Sequence, residues 1–127
     1  MKQNLNAVTE AIIGTAIAVH RELGPGLLES TYEACLAYEL AERNLKVERQ
    51  KGLPVTYHDA QLDCGYRVDL LVEDEGVVEL KAVERVEPIH KAQLLSYLKL
   101  SGCKVGLLIN FNVKVLKNGI CRLVQGF

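Results

Sequence analysis

The sequence predicts a single α/β domain, of an α+β-like kind, in which helices flank a central β-sheet. Apolar residues recur at helical spacing in the N-terminal third, and β-branched runs separated by turn residues follow them. A segment bounded by proline and glycine then precedes two further apolar runs. With 127 residues, 49% of them hydrophobic, the chain is long enough to bury one core. We therefore expect one domain over residues 1–127.

Two helices are expected at the start of the chain. Apolar residues three or four positions apart predict a first helix over Leu5–Leu23. The sequence Gly24-Pro25-Gly26 should end it, because glycine suits the left-handed position after a helix and proline cannot continue one. A second helix is predicted over residues 28–43, where leucines and a tyrosine form one stripe.

The remaining elements are predicted from β-branched runs and from turn residues. A third helix should begin at Pro88, since its fixed φ suits a first helical turn, and should end at Gly102. We expect strands at Lys46–Gln50, Leu53–His58, Leu62–Val72, Val77–Val83, Lys104–Phe111 and Gly119–Val124.

Two carboxylates and a lysine stand on adjoining predicted strands. Side chains alternate along a strand, so Glu79 and Lys81 should point to one face and the Leu80 side chain to the other. Asp69 can share the polar face if the two strands pair as a hairpin. Two acids can hold Mg²⁺ together with waters and phosphates, and an ammonium can act on the attacking water. The alternative is a Glu79–Lys81 or Arg67–Asp69 ion pair that only neutralises the charges.

Asp69 followed by Glu79-x-Lys81 resembles the signature of the PD-(D/E)XK nuclease superfamily. Gly26, Glu29 and Tyr32 also resemble the G-x-x-E-x-x-Y motif that names a group of small bacterial proteins in that superfamily. The segments 20–26, 107–112 and 117–120 look like the same group. The resemblance implies a nuclease-like fold of α-β-β-β-α-β order, with a central mixed sheet flanked by helices and an extra N-terminal helix.

The resemblance also implies a function: a nuclease that hydrolyses phosphodiester bonds of DNA or RNA with Mg²⁺ or Mn²⁺ as cofactor. Arg67 is a candidate phosphate contact, and His20, just before the glycine turn, is a candidate at the cleft edge. The remaining roles that the resemblance implies are metal binding by Glu29, Asp69, Glu79 and the Leu80 main-chain carbonyl, and catalysis by Asp69, Glu79, Lys81 and Gln93.

The third predicted helix carries a polar stripe. His90, Gln93 and Tyr97 fall at i, i+3 and i+7 and so share one face. The pair Gln93-x-x-x-Tyr97 resembles an element of helicase-associated PD-(D/E)XK exonucleases that borders the active site. We therefore expect Gln93 to orient substrate or the lysine, and Tyr97 to contact substrate.

Composition narrows the possible partners. Fifteen basic and sixteen acidic residues give a net charge of −1, which does not predict strong nonspecific attraction to nucleic acid. No apolar run approaches the ~18 residues of a membrane helix, and the first residues lack the apolar region of a secretory signal. We expect a cytoplasmic protein with no membrane partner. The four cysteines contain no C-x-x-C pair, so no zinc site is predicted.

Three questions stay open on the sequence alone. The acidic cluster and the polar helix face can belong to a non-catalytic module that binds a protein or a nucleic acid. They can also belong to a hydrolase of small phosphate esters, since the chain is short and not basic. A homodimer is a further possibility, because a small nuclease needs two active sites to reach both strands of a duplex.

Overall fold

The structure is a computed structural model that describes residues 4–126. Within these residues lie three α-helices, five strands and one 3-10 turn. Their bounds are α1 Leu5–Leu23, α2 Glu29–Glu42, β1 Val47–Tyr57, β2 Ala60–Val72, β3 Gly76–Lys81, α3 Pro88–Ser101, β4 Val105–Asn110, the 3-10 turn Leu116–Gly119 and β5 Ile120–Val124.

The five strands form one mixed sheet in the order β1-β2-β3-β4-β5. β1, β2 and β3 form an antiparallel meander, and β5 is antiparallel to β4. β3 and β4 are parallel, and a parallel pair requires a crossover connection, which α3 provides. The predicted fold class, an α+β arrangement with a mixed sheet and an extra N-terminal helix, is confirmed.

Each face of the sheet buries a separate apolar cluster. On one face, side chains of α1 and α2 such as Ile12 and Leu36 pack on Leu80 of β3. On the other face, Leu94 and Leu98 of α3 belong to the second cluster. This helix approaches β4 so closely that a Cβ at position 106 would lie 2.9 Å from a Leu94 methyl group, so the position requires glycine. β3 and β4 are therefore covered on both sides, as their apolar sequences predict, whereas most of β1 and the first half of β2 are exposed.

The predicted ends of α1 and α3 agree with the structure, and their capping contacts explain them. Asn4 accepts a hydrogen bond from the Asn6 N–H (2.7 Å) at the start of α1. At its end, the Gly24 N–H donates to the His20 carbonyl. Pro88 occupies the first turn of α3, and Gly102 ends this helix with φ at 76°.

Two predicted strand boundaries are wrong. β1 was expected as two strands, but it pairs with β2 on both sides of Gln50 and Pro54, so one strand continues across both, with a shift of register between Leu53 and Val55. β3 was expected to reach Val83, but it ends at Lys81. Beyond that point the side-chain amide of Asn110 bonds both the N–H and the C=O of Val83, at 3.1 and 2.9 Å. A side chain thus replaces the backbone partner that a longer strand would need.

In the described part of the chain, the helices lack the length and apolarity that crossing a bilayer requires.

Candidate functional site

β2 and β3 separate at the two predicted acidic residues. Their backbone pairing covers only Leu70–Val72 against Gly76–Val78. Continued by one residue, the same register would place Asp69 opposite Glu79, but backbone pairing stops before that point. The hairpin is therefore closed at its turn and open at the end that carries the carboxylates.

β2 also changes faces at this point. Residues two apart on a regular strand share a face. Leu70 nevertheless packs in the cluster under α1 and α2, while Val68 packs in the cluster under α3. The strand therefore twists across Asp69, which is partly buried in the opening between the two strands.

Each carboxylate is fixed by the opposite strand. The Asp69 N–H donates to Glu79 Oε2 at 2.8 Å, and the Leu80 N–H donates to Asp69 Oδ2 at 2.8 Å. Side-chain oxygens thus take the place of the carbonyls that backbone pairing would supply. The two acids are held on defined rotamers and face one another across the opening.

This arrangement strongly perturbs Glu79. Burial raises the pKa of the Glu79 carboxyl to about 8, since a charged group loses hydration there, and the negative charge of Asp69 also raises it. The Asp69 N–H and the Lys81 ammonium act in the opposite direction. With no cation beside the pair, Glu79 therefore retains a proton close to neutral pH.

Lys81 lies next to the carboxylates without forming an ion pair. Its charge is close enough to lower the pKa of Glu79. The Leu80 side chain points to the opposite layer, where it is 1% exposed in the core, as strand alternation predicts. Among the described residues, no ion pair within 4.0 Å joins Lys81 to Glu79. The ammonium therefore remains available in the site.

Arg67 lies beyond the opening and is exposed. Its guanidinium donates to the main-chain carbonyl of Gln50 at 3.4 Å. Among residues 4–126, no ion pair joins Arg67 to Asp69. The neutralising ion pair that was considered as an alternative is thus not formed.

Sequence reasoning missed a polar network that approaches Asp69 from β1 and α2. The side-chain amide of Gln50 donates to Glu33 Oε1 at 2.6 Å and to Asp69 Oδ1 at 3.2 Å. Arg49 donates to the other Glu33 oxygen at 3.1 Å. Gln50 has φ at 51°, a left-handed conformation that is uncommon for a non-glycine residue. No sequence pattern signals such a conformation inside a strand.

Tyr32 and Glu29 of the G-x-x-E-x-x-Y segment differ in burial. Tyr32 is fully buried and stacks on Phe111 with ring centroids 4.4 Å apart. Its hydroxyl donates to the Gly24 carbonyl at 2.6 Å and accepts from the Leu27 N–H at 3.1 Å, so it holds the turn between α1 and α2. Glu29 is exposed in the first turn of α2. Its metal-binding role stays a prediction.

His20 is a buried structural residue. Its Nε2 lies 2.8 Å from the Val113 carbonyl, so this ring nitrogen donates, and the ring lies 6.2 Å from Phe111. These contacts connect the end of α1 to the loop after β4. The described contacts do not link His20 to the carboxylates, and its predicted contact with substrate has no support in them.

Gln93 and Tyr97 approach the site from α3. Gln93 Nε2 donates to the Tyr97 hydroxyl at 3.0 Å. Burial raises the pKa of the Tyr97 phenol, and the charge of Glu79 raises it further, so the hydroxyl lies within the field of the carboxylates. His90, predicted on the same stripe, instead accepts from the Glu87 N–H at 3.0 Å and caps the helix.

The possible ligands of a metal ion are few. Residues 4–126 contain no group of three or more His, Cys, Asp or Glu side chains placed to hold one ion. Asp69 and Glu79 form a pair, and Mg²⁺ is commonly bound by one or two carboxylates that leave water and phosphate oxygens in its remaining positions.

Comparison with protein families gives one match. A family model described as the PD-(D/E)XK nuclease superfamily covers residues 6–123, which is nearly the whole chain. No curated protein and no solved structure matches. The narrower resemblance to the G-x-x-E-x-x-Y group stays a prediction. The matched residues include the open end of the β2–β3 hairpin with Asp69, Glu79 and Lys81. The chain therefore belongs to the PD-(D/E)XK nuclease superfamily.

Proposed function

We propose that this chain is a divalent-metal-dependent nuclease that hydrolyses phosphodiester bonds of DNA or RNA. One observation carries the proposal: Asp69 and Glu79 are fixed across the opening of the β2–β3 hairpin by the opposite strand's amides. Rigid placement of two acids on strands is what a catalytic cation site needs, because no reorganisation is then required when the ion binds.

The donor set fits Mg²⁺ or Mn²⁺. Both side chains offer hard oxygen ligands: Glu79 uses one oxygen on a main-chain amide, and Asp69 uses one on a main-chain amide and the other on the longer contact with the Gln50 side chain. The elevated pKa of Glu79 indicates crowded negative charge in a poorly hydrated place, which a cation would relieve. A bound cation would stabilise the charge that develops on the phosphate. The Leu80 carbonyl is proposed as an additional oxygen ligand.

Lys81 is proposed to act on the attacking water. Its ammonium lies beside Glu79 and forms no ion pair with it among the described residues, so it is free to donate a hydrogen bond. It would orient the water and stabilise charge in the transition state. As a cation it does not ligate the metal.

Arg67, Tyr97 and Gln93 are proposed to position the substrate. The exposed guanidinium of Arg67 can bind a phosphate in two-pronged geometry. Gln93 donates to the Tyr97 hydroxyl and so fixes the position of that group on α3.

The glutamate that helix α2 contributes to the site is better assigned to Glu33 than to Glu29. Glu33 is buried and is joined to Asp69 through the Gln50 amide, whereas Glu29 is exposed. In this arrangement Glu33 holds Asp69 in place through the Gln50 amide in the metal-free protein, so its proposed role is to position Asp69.

Cleavage of end-labelled single- and double-stranded DNA and RNA tests the proposal. We expect products with Mg²⁺ or Mn²⁺, none with EDTA, and cleavage by Lys81→Ala that is lower by about 10²- to 10³-fold or more. Lys114→Ala, which changes an exposed lysine in the loop after β4, is the matched control and should cleave like the wild type. A wild-type chain that cleaves none of the four substrates with either metal would refute the proposal.

A non-catalytic binding module is the second candidate, and one observation favours it. With a pKa of about 8, Glu79 can keep a proton and hydrogen bond to Asp69, so the pair is satisfied without a metal. In that case Mn²⁺ would leave the melting temperature unchanged at pH 7, and nucleic-acid binding would not depend on it.

A further inference from the structure

An open groove lies between β2 and α3, next to the carboxylates. Its volume is about 530 Å³, a size typical of ligand sites. Tyr66 forms one wall, and α3 forms the other with Ile89, Gln93, Tyr97 and Lys99. The rings of Tyr66 and Tyr97 have centroids 6.1 Å apart, and Tyr97 packs in the same cluster as Val68, the residue before Asp69 on β2. The groove therefore leads directly into the proposed active site.

The lining of this groove suits a nucleobase followed by a phosphate. Tyr66 is 45% exposed and Ile89 is 69% exposed, so an aromatic ring and an apolar side chain face the open space. The described residues that line the groove include Lys99 and no carboxylate. By contrast, Glu22 and Glu39 line the apolar groove between α1 and α2 and would repel a phosphate. Charge thus distinguishes the two grooves and selects the one beside Tyr66.

The route from this groove to the carboxylates is not closed by the sheet. β2 pairs with β3 only from Leu70 onward, so the edge of β2 that carries Tyr66 has no partner on the β3 side. A strand of nucleic acid can follow this edge with a base on Tyr66 and a phosphodiester at Asp69 and Glu79.

The occupant should be single-stranded. A base within a duplex is stacked on its neighbours and cannot offer a face to Tyr66. The chain has a net charge of −1, so it lacks the excess of basic residues that holds duplex backbones by counterion release. Stacking on aromatic rings tolerates any base and is the usual means of binding single strands.

We propose that the groove between Tyr66 and α3 binds one unstacked base of a single-stranded nucleic acid, so that the neighbouring phosphodiester reaches Asp69 and Glu79. This inference rests on the proposed function and adds the class of its substrate. Lys99 contacts a phosphate that flanks the bound base, and Gln93 offers hydrogen bonds to the base edge.

The test is fluorescence anisotropy of a labelled ten-nucleotide single strand, titrated with protein in EDTA so that no cleavage interferes. Tyr66→Ala should weaken binding by about 5- to 150-fold, the equivalent of one base–aromatic stack. Tyr66→Phe should bind like the wild type, because the ring is kept. Tyr38→Ala is the control, since Tyr38 is 64% exposed on α2, in the groove that carries the two glutamates.

Binding of the Tyr66→Ala variant within twofold of wild type would overturn the inference. An equal loss of binding in Tyr38→Ala would also overturn it. So would tighter binding of a duplex that is unaffected by Tyr66→Ala, or a change in the oligomeric state of Tyr66→Ala on size exclusion without loss of binding. Thermal melts of all variants show whether a loss of binding comes from unfolding or from the missing contact between base and ring. Tyr66→Phe, which keeps the ring, is the conservative rescue.

Cleavage by the same proteins distinguishes this inference from the proposed function. A wild type that cleaves while Tyr66→Ala binds and cleaves equally well overturns the groove and leaves the nuclease. A wild type that binds single strands through Tyr66 but never cleaves with Mg²⁺ or Mn²⁺ supports the groove and overturns the nuclease.

Discussion

The two ends of the β2–β3 hairpin are held together in different ways. Near the turn, backbone pairs join Leu70–Val72 to Gly76–Val78, and their side chains are almost all buried. At the other end, Asp69 and Glu79 each accept an N–H from the opposite strand through a carboxylate oxygen. The closed end stabilises the fold, and the open end concentrates negative charge.

This difference shows how an apolar hairpin can carry a polar site. Burying two carboxylates costs several kcal/mol unless they are hydrogen-bonded or bind a cation. The backbone amides at the opening supply two hydrogen bonds, but burial and the neighbouring charge of Asp69 still raise the pKa of Glu79 to about 8. The hydrogen bonds therefore stabilise the open end, and the buried negative charge favours the binding of a cation there. The following predictions test this division, from the largest expected effect to the smallest.

The largest effect is expected from Lys81→Ala. Loss of the ammonium should reduce cleavage by about 10²- to 10³-fold or more, because a group that stabilises transition-state charge is lost. Metal binding and nucleic-acid binding should be largely kept, as measured by calorimetry and anisotropy. Asp69→Ala should lose metal affinity as well. A Lys81→Ala variant with lost metal affinity would contradict the assigned role.

The second prediction concerns pH. The carboxyl of Glu79 has a pKa of about 8 in the folded chain, against an ordinary value of 4.5 for an unperturbed glutamate. Between these values the folded state binds more protons than the unfolded state, so the stability of the metal-free protein should fall as pH rises. The loss is at most about 5 kcal/mol over the whole interval. Chemical denaturation at several pH values measures it.

Glu79→Gln is the control for this pH dependence. Glutamine keeps an oxygen that can accept the Asp69 N–H but cannot ionise, so the contribution to the slope should vanish. Mn²⁺ should restore stability to the wild type at pH 8, since it binds the ionised pair. Equal pH slopes for both proteins would contradict the perturbed state of Glu79.

At the closed end, Leu70→Ala should destabilise the chain by about 2–5 kcal/mol, because Leu70 is fully buried under α1 and α2. Cleavage per folded molecule should change little. Denaturant melts and cleavage normalised to the folded fraction measure the two effects. A loss of cleavage with unchanged stability would mean that the closed end also takes part in the chemistry.

The smallest effect is expected from Gln93→Ala. Its hydrogen bond goes to the neutral Tyr97 hydroxyl and is worth about 0.5–1.5 kcal/mol, or about a 2- to 12-fold loss of cleavage. Initial rates below saturation measure it. Leu95→Ala, at an exposed position of the same helix that does not line the groove, should cleave like the wild type. A loss as large as that of Lys81→Ala would make Gln93 a direct participant.

Much of the fold could be predicted because its signals are local. Asn4, Gly24, Pro88 and Gly102 determine helix ends through caps within one turn of the helix, and the apolar runs identify the strands. Asp69, Glu79 and Lys81 were found because strand alternation and one short turn relate them.

The rest of the site depends on contacts between distant segments. Glu33 and Gln50 meet Asp69 from another helix and another strand, and the left-handed φ of Gln50 follows from that packing. The predicted place of His20 at the cleft edge stays a prediction, and its hydrogen bond to Val113, 93 residues away, has no signal in the sequence. Periodicity and spacing do not contain this information.

The most direct test of the central account is a crystal structure of the wild-type chain grown with Mn²⁺ at pH 8, with anomalous diffraction to locate the ion. We expect one strong anomalous peak in the opening of the β2–β3 hairpin, within coordination distance of one oxygen of Asp69 and one of Glu79. An empty opening with the carboxylates still hydrogen-bonded across it, or a peak bound elsewhere, would contradict the account.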